Sequence, residues 1–128
     1  MLITISVSPS KNQAMLCADR EGWRALAEAV RVAGEQPCTV AATERPEHYE
    51  AFARIVRAGD RQSSQVLIRI DEPGLFLILG NESGRLWLSG NMDEMVDATP
   101  GFHCHIDDVS FPEELDPESA DLVFLREP

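Results

Sequence analysis

Short apolar segments separated by turn-forming residues determine which folds this chain can adopt. The longest uninterrupted apolar run is Leu75–Leu79, and the strand-like segment Val66–Asp71 precedes it across the turn-forming residues Glu72, Pro73 and Gly74. A membrane-spanning helix needs about 20 apolar residues, so a run this short indicates a buried strand. Because a short turn joins the two segments, they are expected to pair as neighbouring antiparallel strands.

Other segments have the same strand-like character on both sides of this centre. Alternating or uniformly apolar residues predict strands over Met1–Val7, Ala14–Ala18, Arg85–Ser89, Phe102–Val109 and Asp121–Arg126. The residues Gly80–Gly84 are predicted to form a hairpin turn. The segment Cys38–Val40 fits either a short strand or an extended connection.

Helical spacing of apolar residues is clearest after Asp19, a residue that can cap a helix N-terminus. This helix is predicted to end at Gly34, since glycine commonly follows the last turn. Pro46 fits the first position of a second helix that would end at Gly59, and Asn91–Ala98 is predicted to form a short third helix. The apolar stripes of the first two helices would be Trp23, Leu26, Ala27 and Val30, and Tyr49, Phe52, Ala53 and Val56.

The length of the chain and the order of these segments indicate one α+β domain over residues 1–128. Two domains made from 128 residues would each be too small to bury a substantial core. The predicted architecture is an antiparallel sheet of about five to seven strands with two or three helices packed on one face.

Charge is the strongest compositional signal. Eleven Lys and Arg residues against 22 Asp and Glu residues give a formal net charge of −11, and Lys11 is the only lysine. A field of this sign repels nucleic acids and anionic lipids and attracts basic proteins. We therefore predict a protein partner, with no nucleic-acid binding and no membrane binding. Acidity that serves solubility alone is the alternative explanation.

The cysteines and the N-terminus favour a cytoplasmic location. Cys17, Cys38 and Cys104 are odd in number and have no C-x-x-C spacing, so neither a disulfide framework nor a zinc knuckle is expected. Residues 1–5 lack a basic segment and a cleavage site, and their pattern is typical of a first strand rather than a signal peptide.

The most distinctive group of chemically versatile side chains lies in Phe102–Asp108. Alternate side chains of a strand share a face, so His103, His105 and Asp107 are expected to point the same way. Two imidazoles and a carboxylate can bind a transition metal, but a complete site needs a further ligand, and the only other histidine is His48. A half-exposed polar face and direct contact with a partner are the two alternatives.

No sequence pattern indicates catalysis or a cofactor. The chain has no G-x-S-x-G nucleophile motif, no phosphate-binding loop and no G-x-G-x-x-G motif. Cys104 lies between two histidines, but neighbouring side chains of a strand point to opposite faces and cannot form a nucleophile–base pair. The chain is therefore predicted to be non-catalytic and to need no cofactor.

Carboxylates are concentrated between Asp107 and Asp121, where they fit either a solvated loop or a surface that contacts arginine and lysine side chains. If these carboxylates form a contact surface, they bind a partner, and no residue is assigned as a metal ligand. The predicted partner-binding residues are His103, His105, Asp107, Asp108, Glu113, Glu114, Asp116 and Glu118.

Three motifs in the last third of the chain stand in a characteristic order: Leu86-Trp87-Leu88-Ser89-Gly90, His103-Cys104-His105-Ile106-Asp107 and Pro117-Glu118-Ser119-Ala120-Asp121-Leu122-Val123. Together they resemble a family of small bacterial immunity-type proteins associated with polymorphic toxins. The resemblance implies a protein that neutralises a toxin by binding it. It also implies that the first motif ends a strand and that a short helix follows.

Three functional hypotheses follow. The first is a non-catalytic binding protein, an immunity protein that neutralises a basic toxin domain through an acidic surface. The second is a metal-binding module or metal-dependent enzyme that uses His103, His105 and Asp107. The third is a structural subunit that forms a homodimer through an exposed sheet edge.

Overall fold

Two β-sheets and two helices make up the described part of the chain. The computed structural model describes residues 1–34, 36–42, 51–71 and 74–128, and only the backbone of residues 51 and 52. The helices are α1 (Arg20–Val32) and α2 (Glu82–Val96). The strands are β1 (Ile3–Ser8), β2 (Gln13–Ala18), β3 (Cys38–Ala41), β4 (Ala51–Ala53), β5 (Ile55–Gly59), β6 (Leu67–Asp71), β7 (Leu75–Leu79), β8 (His103–Ile106) and β9 (Asp121–Arg126).

The strands form two mixed sheets, so the prediction of one antiparallel sheet was wrong. The first sheet has five strands in the order β4-β1-β2-β9-β8, and the second sheet has four in the order β3-β5-β7-β6. The pairs β2–β9 and β5–β7 are parallel, and the remaining pairs are antiparallel. Short turns predict only the pairing of consecutive strands, whereas both parallel pairs join strands that are not consecutive. The α+β class itself is confirmed.

Most of the predicted strands are confirmed with small changes in their ends. The segment Cys38–Val40, which fitted two interpretations, is strand β3. The strand predicted over Phe102–Val109 is shorter, because Asp107 begins a turn that the Phe111 N–H closes on the Asp107 carbonyl at 2.9 Å. A 3-10 turn at Pro9–Lys11 joins β1 to β2, as the turn chemistry of this segment indicates.

Helix α2 takes the place of a predicted turn and a predicted strand, and it contains residues 91–96 of the predicted short helix Asn91–Ala98. The Asn81 side chain caps the helix by accepting a hydrogen bond from the Gly84 N–H at 2.9 Å, so the predicted hairpin turn over Gly80–Gly84 was wrong. The buried residues of α2 follow helical spacing, but they include the polar side chains Arg85 and Ser89. Because these two polar residues interrupt the apolar stripe, the sequence does not show helical spacing here. Leu86, which suggested a strand, is 48% exposed.

The helix predicted from Pro46 to Gly59 was also wrong where the structure can test it. Ala51–Ala53 and Ile55–Gly59 are strands, while Pro46 and Tyr49 lie outside the described residues. In β5, Val56 and Ala58 are buried and Arg57 is exposed, which is the two-residue period of a strand. Pairing of β5 with β3 and β7 overrides its local helical preference.

The prediction of helix α1 is confirmed, and hydrogen bonds at its N-terminal end and from Trp23 hold it against the first sheet. Asp19 accepts hydrogen bonds from the Gly22 N–H at 2.8 Å and the Leu2 N–H at 3.0 Å. Partial burial raises the pKa of Asp19, but the two hydrogen bonds together with the positive charges of the N-terminus and Arg126 lower the pKa overall. Trp23 is fully buried, its ring centroid lies 4.8 Å from that of Phe124, and its Nε1 donates to the Leu125 carbonyl at 3.1 Å.

The two helices pack against each other, and α1 contacts strands of both sheets, namely β2, β3 and β5. The expectation of helices on one face of a single sheet is therefore corrected to a helix pair that shares one core with two sheets. The core includes Ile5, Leu16 and Phe124 from the first sheet and Phe76 and Ile78 from the second. Neither described helix is long and apolar enough to cross a membrane.

Arg85 is a buried cation that joins three parts of this core. Its Nε donates to the Gly80 carbonyl at 3.0 Å, and its Nη1 donates to the carbonyls of Val30 and Arg31 at 3.4 and 3.3 Å. The carbonyls in the last turn of a helix have no partner within the helix, so Arg85 satisfies two such groups of α1. Its Nη2 also lies 3.9 Å from the Asp60 carboxylate.

Candidate functional site

The two histidines of the predicted site lie on the edge strand β8, on the face of the first sheet that points away from the helices. His103 pairs with Leu125 and His105 pairs with Val123, and Val123 in turn pairs with Met15. Residues directly opposite each other in a sheet share a face, so these side chains form one surface, which we call the outer face of the first sheet. Both histidines are exposed, whereas Met15, Val123 and Leu125 are half-buried.

The geometry of this strand does not form the alternative metal site. The rings of His103 and His105 meet edge to face with centroids 5.8 Å apart. Asp107 instead accepts a hydrogen bond from the Ser110 N–H at 2.7 Å. Among the described residues, no group of three or more His, Cys, Asp or Glu side chains is arranged to hold a metal ion, and His48 lies outside them.

A groove opens at the end of this face, where β2 and β9 start side by side and β8 ends. The parallel pairing places Gln13 next to Asp121, and the turn at Asp107 closes the other side. The groove has a volume of about 260 Å³. We call it the acidic groove, and its lining residues are Gln13, Ala14, His105, Asp107, Asp121, Leu122 and Val123.

The carboxylates of the acidic groove are not paired with an arginine or lysine of the described residues. Partial burial raises the pKa of Asp121, and the negative charges of Asp107 and Asp108 raise it further. The pKa of Asp107 is lowered, first by the hydrogen bond from the Ser110 N–H and also by the Ser110 hydroxyl and by His105. In the described ranges, no arginine or lysine forms a salt bridge with any of these three carboxylates.

Asp116 has a different environment from the other predicted site residues. It forms a salt bridge with Arg61 at 2.7 Å and accepts a hydrogen bond from the Glu118 N–H at 2.8 Å. The hydrogen bond from Arg61 is the main reason that the pKa of Asp116 is lowered. Asp116 is therefore engaged within the molecule, between the segment that contains it and the loop before β6.

The segment 114–120, which we call the linking segment, pairs along the edge of the second sheet. The Val66 N–H donates to the Glu114 carbonyl at 2.8 Å, and the Asp116 N–H donates to the Val66 carbonyl at 2.9 Å. The buried Ser119 hydroxyl donates to the Val66 carbonyl at 3.0 Å and accepts from the Ile68 N–H at 3.1 Å. These bonds connect the second sheet to β9 of the first, because β9 begins directly after the segment.

The predicted partner-binding residues therefore do not all lie together. His105 and Asp107 line the acidic groove, and the charge of Asp108 acts on it. His103 lies beside His105, whereas Glu113, Glu114 and Glu118 belong to the connection before β9 and do not line the groove. Sequence reasoning missed Gln13 and Asp121, because the antiparallel pairing of β8 with β9 brings Asp121 to the histidine strand and the parallel pairing of β2 with β9 places Gln13 beside it.

The stretch that contains β7, α2, β8 and β9 also resembles a known family. Residues 76–127 match the family model of Immunity protein 32. The match covers 52 of the 128 residues and includes every carboxylate of the acidic groove. It confirms the predicted resemblance to immunity-type proteins in the C-terminal part of the chain. The chain has no significant match to a curated protein or to a solved structure.

The structure corrects one detail that the resemblance to immunity-type proteins implied. The motif Leu86–Gly90 does not end a strand, because it lies within α2. The motif His103–Asp107 forms β8 and the start of the following turn. The motif Pro117–Val123 contains the end of the linking segment and the start of β9. Two of the three motifs thus meet at the acidic groove.

Proposed function

We propose that this chain is a non-catalytic immunity protein that neutralises a toxin domain by binding a basic surface of it in the acidic groove. The proposal combines two independent supports. The similarity of residues 76–127 to Immunity protein 32 favours a toxin as the partner. The net charge of −11 favours a partner of positive charge.

The observation that carries the proposal is the unpaired negative charge around Asp121. Three carboxylates repel one another there, and one of them is partly removed from water. A guanidinium or ammonium group from a partner would relieve this repulsion and form charge-assisted hydrogen bonds with Asp107 and Asp121. Such electrostatic complementarity raises the association rate and the specificity of a complex.

The surface next to the groove supplies the apolar contact that a stable interface also needs. Met15, Val123 and Leu125 are half-buried on the outer face of the first sheet, beside the two histidines. Protein interfaces commonly have an apolar centre surrounded by polar and charged residues. In this proposal the apolar residues form the centre, and His103, His105 and the groove carboxylates form part of the rim.

Co-expression tests the proposal directly. The probe is the C-terminal toxin domain of a large protein encoded immediately next to this chain. We expect growth arrest by the toxin domain to be relieved, and a complex of the two proteins to survive purification at low salt. Raising the salt concentration should weaken the complex, because salt screens exposed charge pairs. The absence of a complex at low salt would contradict the proposal.

A further inference from the structure

The side of β8 that faces away from β9 is an open edge of the first sheet. Within the described residues, β8 pairs with β9 alone. Side-chain burial decreases toward this edge along one row of the outer face, where Thr4 and Cys17 are buried, Leu125 is half-buried and His103 is exposed. The part of the outer face nearest β8 is therefore the part that a partner can reach.

The backbone groups of His103 and His105 point outward from this edge. The Arg126 N–H donates to the Phe102 carbonyl at 2.9 Å, which makes these two residues a hydrogen-bonded pair beside the start of β8. Such pairs alternate in an antiparallel ladder with pairs that share no hydrogen bond, and the register assigns both histidines to the second kind. Their N–H and C=O groups therefore point away from β9, and no hydrogen bond to a described turn or loop uses them. These groups are available to a further strand.

The edge of β6 shows how the same chain covers a strand edge elsewhere. The linking segment lies along that edge and forms hydrogen bonds with the backbone of Val66 and Ile68. Proteins commonly cover a sheet edge in this way, because an open edge pairs readily with another chain. No described residue pairs with β8 on the side away from β9. Exposed apolar side chains instead lie at both ends of β8, since Phe102 directly before it is 48% exposed and Val109 in the turn after it is 87% exposed.

The charge at the end of β8 indicates which kind of strand fits this edge. Continuing the strand register places Gln13, Asp121 and Asp107 side by side in one row across the outer face. The next position in this row lies beyond β8, where an added strand would run. A side chain there would stand beside Asp107 at the spacing of neighbouring strands, roughly 5 Å. Because no described arginine or lysine forms a salt bridge with the groove carboxylates, a basic side chain fits this position.

We propose that an extended segment of the basic toxin domain pairs with β8 as an additional strand of the first sheet, and that an arginine or lysine of this segment lies beside Asp107. This inference rests on the proposed function and names the element of the partner that is recognised. Hydrogen bonds to the backbone of His103 and His105 provide affinity, and alternate side chains of the added strand provide specificity on the outer face. The basic residue is two positions from the one that pairs with His105, because side chains of a strand alternate.

A second copy of the chain is a poorer occupant of this edge. Its net charge of −11 opposes close approach to the carboxylates of the acidic groove. A basic segment, in contrast, is attracted to the same carboxylates before any backbone hydrogen bond forms. Charge complementarity therefore favours the toxin domain over a homodimer at β8.

The first test measures amide hydrogen exchange by NMR in the full chain, alone and in complex with the toxin domain encoded next to it. In the free chain, the amides of His103 and His105 should exchange rapidly, whereas Cys104 and Ile106 should be protected by their hydrogen bonds to β9. Complex formation should slow exchange at both histidine amides by at least about tenfold, because a hydrogen bond must then open first. Cys104 and Ile106 are internal controls for the stability of the ladder.

The outcomes of this test separate strand addition from toxin binding. A complex in which both histidine amides exchange as in the free chain overturns strand addition and leaves the proposed function intact. Absence of a complex at low salt contradicts the proposed function and strand addition together. Protection of the same amides that increases with the concentration of the free chain would show that a second copy occupies the edge, and this too overturns the proposal.

The second test removes one outward N–H and leaves the carboxylates of the acidic groove unchanged. Proline is tolerated at the first residue of an edge strand, so His103→Pro is expected to fold, and circular dichroism checks this. His103→Thr is the matched control, because it removes the same imidazole and retains the backbone N–H. His103→Pro should bind the toxin domain at least about tenfold more weakly than His103→Thr in calorimetry. Equal affinities of the two folded variants would overturn the proposal, and the exchange experiment tests it without any variant.

Discussion

The outer faces of the two sheets have similar apolar centres and opposite charges. On the first sheet, Met15 and Val123 lie beside His105 and the carboxylates of the acidic groove. On the second sheet, Leu77 lies between Arg57 and Arg69. Net charge therefore describes the average of the molecule and not the sign of any one surface. Strand pairing decides which charges gather, and each face can select a different partner.

The largest expected difference between the faces concerns toxin affinity. The variant Asp107→Asn/Asp108→Asn/Asp121→Asn should weaken binding to the toxin domain about 100-fold, because it removes the carboxylates that a basic side chain would contact. Isothermal titration calorimetry at constant ionic strength measures this change. Asparagine at 107 can still accept the hydrogen bond from the Ser110 N–H, so the turn is retained.

Two controls separate local charge from net charge in that experiment. The variant Glu82→Gln/Glu94→Gln/Asp97→Asn removes the same number of negative charges from exposed residues in and just after α2. It should leave toxin affinity nearly unchanged, and so should Arg57→Gln/Arg69→Gln on the outer face of the second sheet. Equal losses in the groove variant and in the α2 variant would show that net charge, and not the acidic groove, determines binding.

The comparison treats the two sheets as parts of one unit that unfolds cooperatively, and Ser119 forms hydrogen bonds that connect them. Ser119→Ala should lower the free energy of unfolding by about 2 kcal/mol, since it removes two buried hydrogen bonds and leaves the Ile68 N–H without its partner. Urea denaturation followed by tryptophan fluorescence measures the change. Ser83→Ala, at an exposed position in α2, should change the free energy by about 0.5 kcal/mol or less. Separate transitions in the wild type would mean that the faces belong to independent units.

Removal of a threonine hydroxyl should change the free energy of unfolding by different amounts on the two outer faces. Thr4 is 1% exposed and its hydroxyl has no hydrogen-bond partner among the described residues, whereas Thr39 on β3 is exposed. Thr4→Val should therefore raise the free energy of unfolding by about 1 kcal/mol, because a buried hydroxyl without a partner is costly. Thr39→Val should have almost no effect, and an equal response in thermal denaturation would contradict this expectation.

The smallest expected effect is electrostatic coupling within the acidic groove. Asp107→Asn should lower the pKa of Asp121, because it removes one of the negative charges that raise it. Carbon-13 NMR titration of the Asp121 carboxyl measures this shift. The raised pKa in the folded state means that ionised Asp121 lowers stability at neutral pH, and that this penalty disappears as the pH falls through the folded-state pKa. An unchanged Asp121 titration would leave burial and the charge of Asp108 as the causes of the raised pKa.

The same raised pKa gives toxin binding a pH dependence. A basic partner favours the ionised carboxylate, so affinity should fall as the pH is lowered through the pKa of Asp121. Calorimetry over a pH series should show a shallower decrease for Asp121→Asn than for the wild type. Identical pH profiles would place the titrating group elsewhere.

Elements with strong local signals could be predicted from the sequence. The Asp19 cap and the spacing of Trp23 and Leu26 correctly indicated α1, and β9 has the predicted bounds. The N-terminal part of α2 was missed because Arg85 and Ser89 occupy its buried stripe, and Arg85 is stabilised there by carbonyls of α1 and of the β7–α2 connection and by the Asp60 carboxylate. Such compensation comes from tertiary structure and leaves no local pattern.

The candidate site was predictable only in part for a similar reason. His105 and Asp107 are close in sequence, and their two-residue spacing correctly indicated a common location. Asp121 reaches them through the antiparallel pairing of β8 with β9, which are separated by a long connection, and the parallel pair β2–β9 adds Gln13. Asp116 looked equivalent to its acidic neighbours in the sequence, but Arg61 engages it in the fold. Long-range pairing therefore determines which carboxylates remain available.

The position of β9 has a consequence for synthesis of the protein. This last strand lies between β2 and β8, so the first sheet lacks an interior strand until residues 121–126 have left the ribosome. Contacts between segments this far apart form late, because a long loop must close first. A nascent chain that still lacks them can neither complete its first sheet nor present the acidic groove. Protection against a toxin would then begin only after residues 121–126 of each copy have been translated and have joined the sheet.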